Sequence, residues 1–191
     1  MADDSPALVA EPRYHLIQRV LHWTIAALVL CALAGGALLY TYGFSGLEAA
    51  FGLGATNLLY KYHKTAGVLI LCLMLLRLVV RLTLGAPAQV ASIPPGQARI
   101  AEAIHLAFYG LLIAMAVLGW LATAAGGFPV EFFDAELPPL IGKDKALSET
   151  LYFLHGIVGL AMALLVALHI GAALRHWLVL RDGVMRRIGL P

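Results

Sequence analysis

The sequence predicts an all-α integral membrane protein, a four-helix bundle with both termini in the cytoplasm, on three observations. Of 191 residues, 61% are hydrophobic and only 13% charged, too little charge to cover the surface of a soluble domain. Four apolar stretches each reach the roughly 20 residues that a helix needs to cross a bilayer core. All nine prolines lie outside the four expected helices, as continuous helices require where lipid offers the backbone no partners.

The expected helices cover about 15–42, 58–84, 101–125 and 150–177, in one domain spanning 1–191. The first core runs without formal charge from Val20 to Leu47, the third from Ala103 to Val130 and the fourth from Thr150 to Leu174. The second is charge-free only from Thr65 to Leu76. It still reads as a span because Lys61, Lys64, Arg77 and Arg81 sit towards its ends, where long side chains snorkel to the headgroups. Pro87, Pro94 and Pro95 mark the loop after the second helix, and Pro129, Pro138 and Pro139 the loop after the third.

Orientation follows from basic residues. Four spans put both termini and the loop between the second and third helices on one side, with nine arginines; the other side has Lys61, Lys64, Lys143 and Lys145. The arginine-rich side is expected to be cytoplasmic, and the membrane to be the bacterial inner membrane. Asp3, Asp4 and Glu11 near the start, and the length of the apolar run behind them, argue against a signal peptide. Cys31 and Cys72 fall mid-helix, outside any C-x-x-C-H motif, and read as small buried apolar residues. No nucleic-acid partner is expected.

Seven histidines are the chemically informative feature, because ionisable residues inside a membrane are rare and usually functional. His15 and His176 suit the cytoplasmic helix ends. His155 and His169 are 14 residues apart on the fourth helix, hence about 21 Å apart along its axis and within about 40° of one face. His63 matches the depth of His155 near the periplasmic surface, and His22 that of His169 near the cytoplasmic one. Gly67, Gly159, Ala26, Gly171 and Ala172 lie beside or one turn from these histidines and leave room for a porphyrin; close helix packing through small residues would use them equally well.

Two levels of histidine without intervening carboxylates do not suit zinc, which gathers three or four ligands at one depth. They do not suit a proton relay or transporter either, which would use intramembrane carboxylates or broken helices. Two bis-histidine haems account for the pattern best. Iron so ligated has no vacant position, and the expected chemistry is outer-sphere electron transfer. His105, with Tyr109 one turn on, reads either as a hydrogen-bonding neighbour of the cytoplasmic haem or a quinone, or as an interhelical bond.

The motifs resemble those of the prokaryotic cytochrome b561 family. They are R-V-L-H-W from Arg19, Y-K-Y-H-K-T-A-G from Tyr60 and M-L-L-R-L-V-V-R-L from Met74. A-I-H-L-A-F-Y-G-L-L around His105, L-H-G-I-V-G from Leu154, A-L-H-I-G-A-A-L-R-H from Ala167 and the tail L-R-D-G-V-M-R-R-I follow in order. The resemblance spans Tyr14 to Ile188. It implies two haem b groups, one held by His22 and His169 and the other by His63 and His155, with a family histidine at His105. It also implies electron exchange with ubiquinone, in at least one member from superoxide; related cytochromes serve as membrane subunits of larger redox enzymes.

The expected function is therefore a superoxide:ubiquinone type of oxidoreductase. The alternative is a non-catalytic carrier or anchor subunit for a periplasmic redox partner. A haem-free transporter is a weaker third reading. Lys61 and Lys64 beside His63 would steer a small anion, although five acids between Gly126 and Glu149 outnumber the two lysines there and would suit a protein donor better. Gln18, Arg19 and His105 are candidates for a quinone near the cytoplasmic haem, with a site beside the periplasmic haem equally open. Arg77 and Arg81 could meet haem propionates or lipid headgroups. No constellation of nucleophile and general base is expected.

Overall fold

The computed structural model describes residues 13–88 and 93–190. Residues 1–12, on which the argument against a signal peptide rests, 89–92 and Pro191 lie outside the described residues. Helix α1 spans Leu16–Leu84 and α2 spans Pro95–Ala125. A small antiparallel hairpin follows, β1 (Val130–Phe132) with β2 (Ala135–Leu137). Helix α3 covers Lys145–Leu174 and runs on through a wide π-helical turn, Arg175–Leu180, before the short α4 (Val184–Ile188). Three helices, Leu16–Leu84, Pro95–Ala125 and Lys145–Leu180, are long and apolar enough to cross a membrane.

Helix α1 has 69 residues and would measure about 100 Å if straight, yet its two ends meet. The Gln18 amide donates to the Gly85 carbonyl at 2.9 Å. The reversal uses two glycines with positive φ, Gly43 (φ 61°) and Gly52 (φ 81°), a backbone state that costs other residues. Phe44 then packs on Tyr60 with centroids 5.7 Å apart. Where a loop over 43–57 was expected, the chain stays helical apart from these two glycines. Helices α2 and α3 also begin earlier than the expected 101 and 150. Pro95 initiates α2, since a first-turn position needs no N–H, and Asp144 caps α3 by accepting from the Leu147 N–H at 3.0 Å.

Side chains from all three long helices pack together: Leu21, Ile25 and Val29 on the outbound arm of α1, Ile70 and Met74 on its return arm, Leu112 on α2 and Met162 on α3. Around this core the helices expose large apolar residues such as Leu82, Leu106 and Leu168, the outward face that lipid solvates. Cys31 and Cys72 belong to that outer surface, a correction to their expected burial. Both sit on helix faces turned from the core, where a thiol is as compatible with lipid as with a protein interior.

Opposite ends of the molecule are tied by different chemistry. At the end holding the described N-terminus, Arg13 and Arg19 both donate to the Gly189 carbonyl at 2.8 Å, and the Trp23 indole donates to Ile188 O at 2.9 Å. Arg187 reaches the carbonyls of Pro87 and Ala88 at 3.0 and 2.5 Å. The turn into this tail is held by His176 and Asp182, 2.5 Å apart. At the other end, the hairpin is clamped to α1 by Lys61 with Asp134 at 2.7 Å, by Lys64 with Glu131, and by the Phe133 N–H donating to Thr65 Oγ1 at 3.0 Å.

Two predictions follow from the reversal and the tail. Because a Cβ at Gly43 or Gly52 meets nothing within 4 Å, alanine there should cost only the backbone strain of positive φ with ψ near 180°, about 1–3 kcal/mol each, read as a lowered thermal midpoint. Burial raises the Asp182 carboxyl pKa, but hydrogen bonds from His176 and the Val184 N–H outweigh it and hold it below the usual range. Its contribution is thus present above the ordinary carboxylate pKa of about 4 and is lost only as pH falls through the lower folded value. Hydrogen exchange of 183–189 should stay protected down to about pH 4 and rise in Asp182→Asn.

Candidate functional site: two histidine pairs

One pair, at the hairpin end, forms where the return arm of α1 meets α3. His63 and His155 lie with ring centroids 6.2 Å apart and planes at 81°. The His155 Nδ1 is 3.0 Å from the Met115 carbonyl on α2; a carbonyl only accepts, so Nδ1 carries the proton and Nε2 keeps its lone pair for a metal. The His63 Nδ1 is buried near the Ala32 carbonyl without closing a hydrogen bond. Glycines let the neighbouring helices approach both rings. A Cβ on Gly36 would come within 3.1 Å of His63 Cε1, and one on Gly119 within 3.0 Å of His155 Cε1.

The other pair, at the tail end, has the same dimensions. His22 on α1 and His169 on α3 have centroids 6.3 Å apart at 69°. His169 has two further ring neighbours from α2, Phe108 at 5.2 Å and His105 at 5.9 Å. Arg77 donates from Nε to the Tyr109 hydroxyl at 3.3 Å, and its charge acts on His22, His105 and His169 together. Arg81 adds its charge at His105.

These residues fit the haem that the sequence implies. Two imidazoles sharing one metal at bonds of about 2 Å bring their centroids to about 6 Å, which both pairs satisfy. The donor set is neutral imidazole, one ring already oriented by a backbone carbonyl, as ligating histidines usually are. A Cβ at Gly67 or Gly171 would meet nothing within 4 Å, so the small residues expected to clear space do border open space. At Gly159 the space is filled by the flexible end of Met115, 3.0 Å from a built Cβ.

The candidate quinone residues divide. His105 and Arg77 gather around His169, whereas Arg81 donates to the Gly85 carbonyl at 3.1 Å and reaches only His105 with its charge. Gln18 is committed at both ends of its amide, accepting from His15 N–H at 3.2 Å and donating to Gly85, a helix cap and a brace. Arg19 is buried against the tail, its Nε without a partner. Sequence reasoning missed Gly35, Gly36, Gly119 and Met115. Adjacent glycines at 35–36 inside a long apolar helix were the available signal, since mid-helix glycine costs stability unless close approach requires it.

The lysines beside His63 are not free charges for a small anion, because Lys61 and Lys64 are taken up by Asp134 and Glu131 of the hairpin.

The chain matches the family model for prokaryotic cytochrome b561 over residues 13–189. It is 26% identical to cytochrome b561 homolog 2 of Escherichia coli K12 over 177 residues, covering 92% of this chain and 90% of that protein. It is 29% identical over 187 residues to cytochrome b562 of Cereibacter sphaeroides, covering 96% and 99%. The probable superoxide oxidase CybB of Yersinia pestis is 26% identical over 181 residues, covering 92% and 95%. With a family match over nearly its whole length, the chain belongs to the prokaryotic cytochrome b561 family of haem-binding membrane electron-transfer proteins.

Proposed function

We propose that this protein is a di-haem b cytochrome of the bacterial inner membrane that exchanges electrons with ubiquinone. It crosses the bilayer four times, α1 contributing two passes, with both termini in the cytoplasm. The reversal of α1 and the side-to-side charge difference support that topology. The observation that carries the function is the repetition of one geometry at two depths, pairs at 6.2 and 6.3 Å whose α3 members lie about 21 Å apart along the helix. That separation covers most of a hydrocarbon core about 30 Å thick.

Bound b-type haem supplies reversible one-electron chemistry at iron. The chain's own residues do the rest. His63 and His155 hold the outer group and His22 and His169 the inner one, the family resemblance choosing His22 over the equally near His105. Met115 O fixes the His155 tautomer. Arg77 and Arg81 bring positive charge to the inner level, suited to propionates or to an anionic reduced quinone. His105 is placed to hydrogen-bond a headgroup there.

Two donors fit the outer level. The name of the CybB relative supports superoxide, making the protein a superoxide:ubiquinone oxidoreductase. A second reading, a carrier for a periplasmic redox protein, is favoured by a specific observation: the hairpin acids neutralise both lysines beside His63, which removes the steering that a small anion would use.

The purified protein should show two b-type haems per chain by pyridine haemochrome, with the sharp reduced bands of six-coordinate iron. His63→Ala should lose the outer haem alone and His22→Ala the inner alone; retention of both in either variant would refute the pairing. Gly36→Leu should displace His63 at an overpacking cost of about 1–3 kcal/mol and shift only the outer haem's potential. Gly67→Ala adds a methyl to the open space that the porphyrin beside His63 would use and should perturb the His63 haem's spectrum.

A further inference from the structure

The hairpin over His63 keeps three features that work against its own stability. Phe133, first residue of its two-residue turn, sits at φ 54°, where glycine or asparagine is usual and a bulky residue is strained. The strained ring is not packed away, being 50% exposed. Glu131 and Glu136 lie directly opposite one another in the register, and like charges across a ladder destabilise it. Lys64 offsets Glu131, but among the described residues Glu136 has no ion-pair partner.

Charge at this end of the molecule is net negative. Glu48, Glu131, Asp134, Glu136, Asp144 and Glu149 face four lysines, a formal −2, whereas the other end of the described chain carries nine arginines against Glu102 and Asp182, a formal +7. Lys61 holds the Asp134 carboxyl below the usual carboxylate range, so this charge persists into mild acid.

We propose that the hairpin tip, Phe133 flanked by Asp134 and Glu136, is a docking surface for a soluble electron-carrier protein whose contact face is lysine-rich around an apolar centre. An exposed aromatic beside the unpaired Glu136, on an end of net negative charge, matches such a face in both chemistry and sign. A lipid surface fits less well, since anionic headgroups repel the same acids. The tip is also well placed: its backbone bonds Thr65, two residues from His63. The assignment rests on the reading that electrons enter at the His63–His155 level.

The test uses the full chain with its haems in nanodiscs of zwitterionic lipid, and a small basic c-type cytochrome as probe. Saturable binding should weaken about tenfold or more as salt rises from roughly 10 to 300 mM. Phe133→Gly removes the strain and the ring together. It should weaken binding about fivefold or more while leaving the thermal midpoint unchanged or higher, a combination that a purely structural phenyl would not give. Glu136→Gln should also weaken binding and flatten its salt dependence.

Equal binding of an acidic carrier of similar size, or no effect of either substitution, would overturn the proposal. So would a Phe133→Gly midpoint lowered in bilayer but not in detergent, which would mark the ring as a lipid anchor. Haem content is counted on the same sample, so the two failures separate. A two-haem chain that ignores the probe refutes the surface alone, whereas a haem-free chain refutes the electron-transfer reading.

Discussion

Helix α3 imposes the constraint on which the rest of the structure depends. It places His155 and His169 on one face at two depths, and every other helix must bring a partner to one of those depths. The return arm of α1 brings His63 to the first, and the outbound arm brings His22 to the second. One α1 helix can do both only by reversing, which it does at the positive-φ glycines 43 and 52. A straight α1 would carry His63 about 60 Å beyond His22.

Close approach is the second requirement, and it explains where glycine is used without conformational need. Gly36 and Gly119 have no special backbone role; a side chain on either would meet an imidazole at about 3 Å. Each gives up helix stability of roughly 1 kcal/mol relative to alanine, and the return is a ring held between three helices. The hydrogen bond from His155 to Met115 O completes that hold on one ring, and the absence of a closed bond at His63 Nδ1 leaves the other oriented by packing alone.

Much of this was legible in the sequence because membrane depth is a one-dimensional coordinate. Apolar length and the alternation of helix direction placed His22 level with His169 and His63 level with His155, and the structure brings those rings together. Rotation about a helix axis is harder to read, which is why Gln18 and Arg19 seemed to belong with His105 when they brace Gly85 and the tail instead. Cys31 and Cys72 were misplaced for the same reason: in lipid an apolar residue is at home on either side of a helix. The hairpin was invisible because three-residue strands have too little pattern to register, and its ion pairs with Lys61 and Lys64 depend on a chain reversal no local signal announces.

The charge pattern that orients the chain also selects what reaches it. The formal +7 at the tail end is the charge excess that the proposed orientation rests on, but that rule leaves the other end unconstrained. There the chain could have kept Lys61 and Lys64 exposed and drawn small anions towards His63. Instead Asp134 and Glu131 close over both lysines, and further acids turn the end negative. Coulomb attraction between a unit anion and an exposed lysine is already only about 1 kcal/mol at 4 Å in water, and a paired lysine offers less. A large cationic partner gathers many such weak terms at once across its whole face, which is why the proposed docking surface would favour a protein over a diffusing anion.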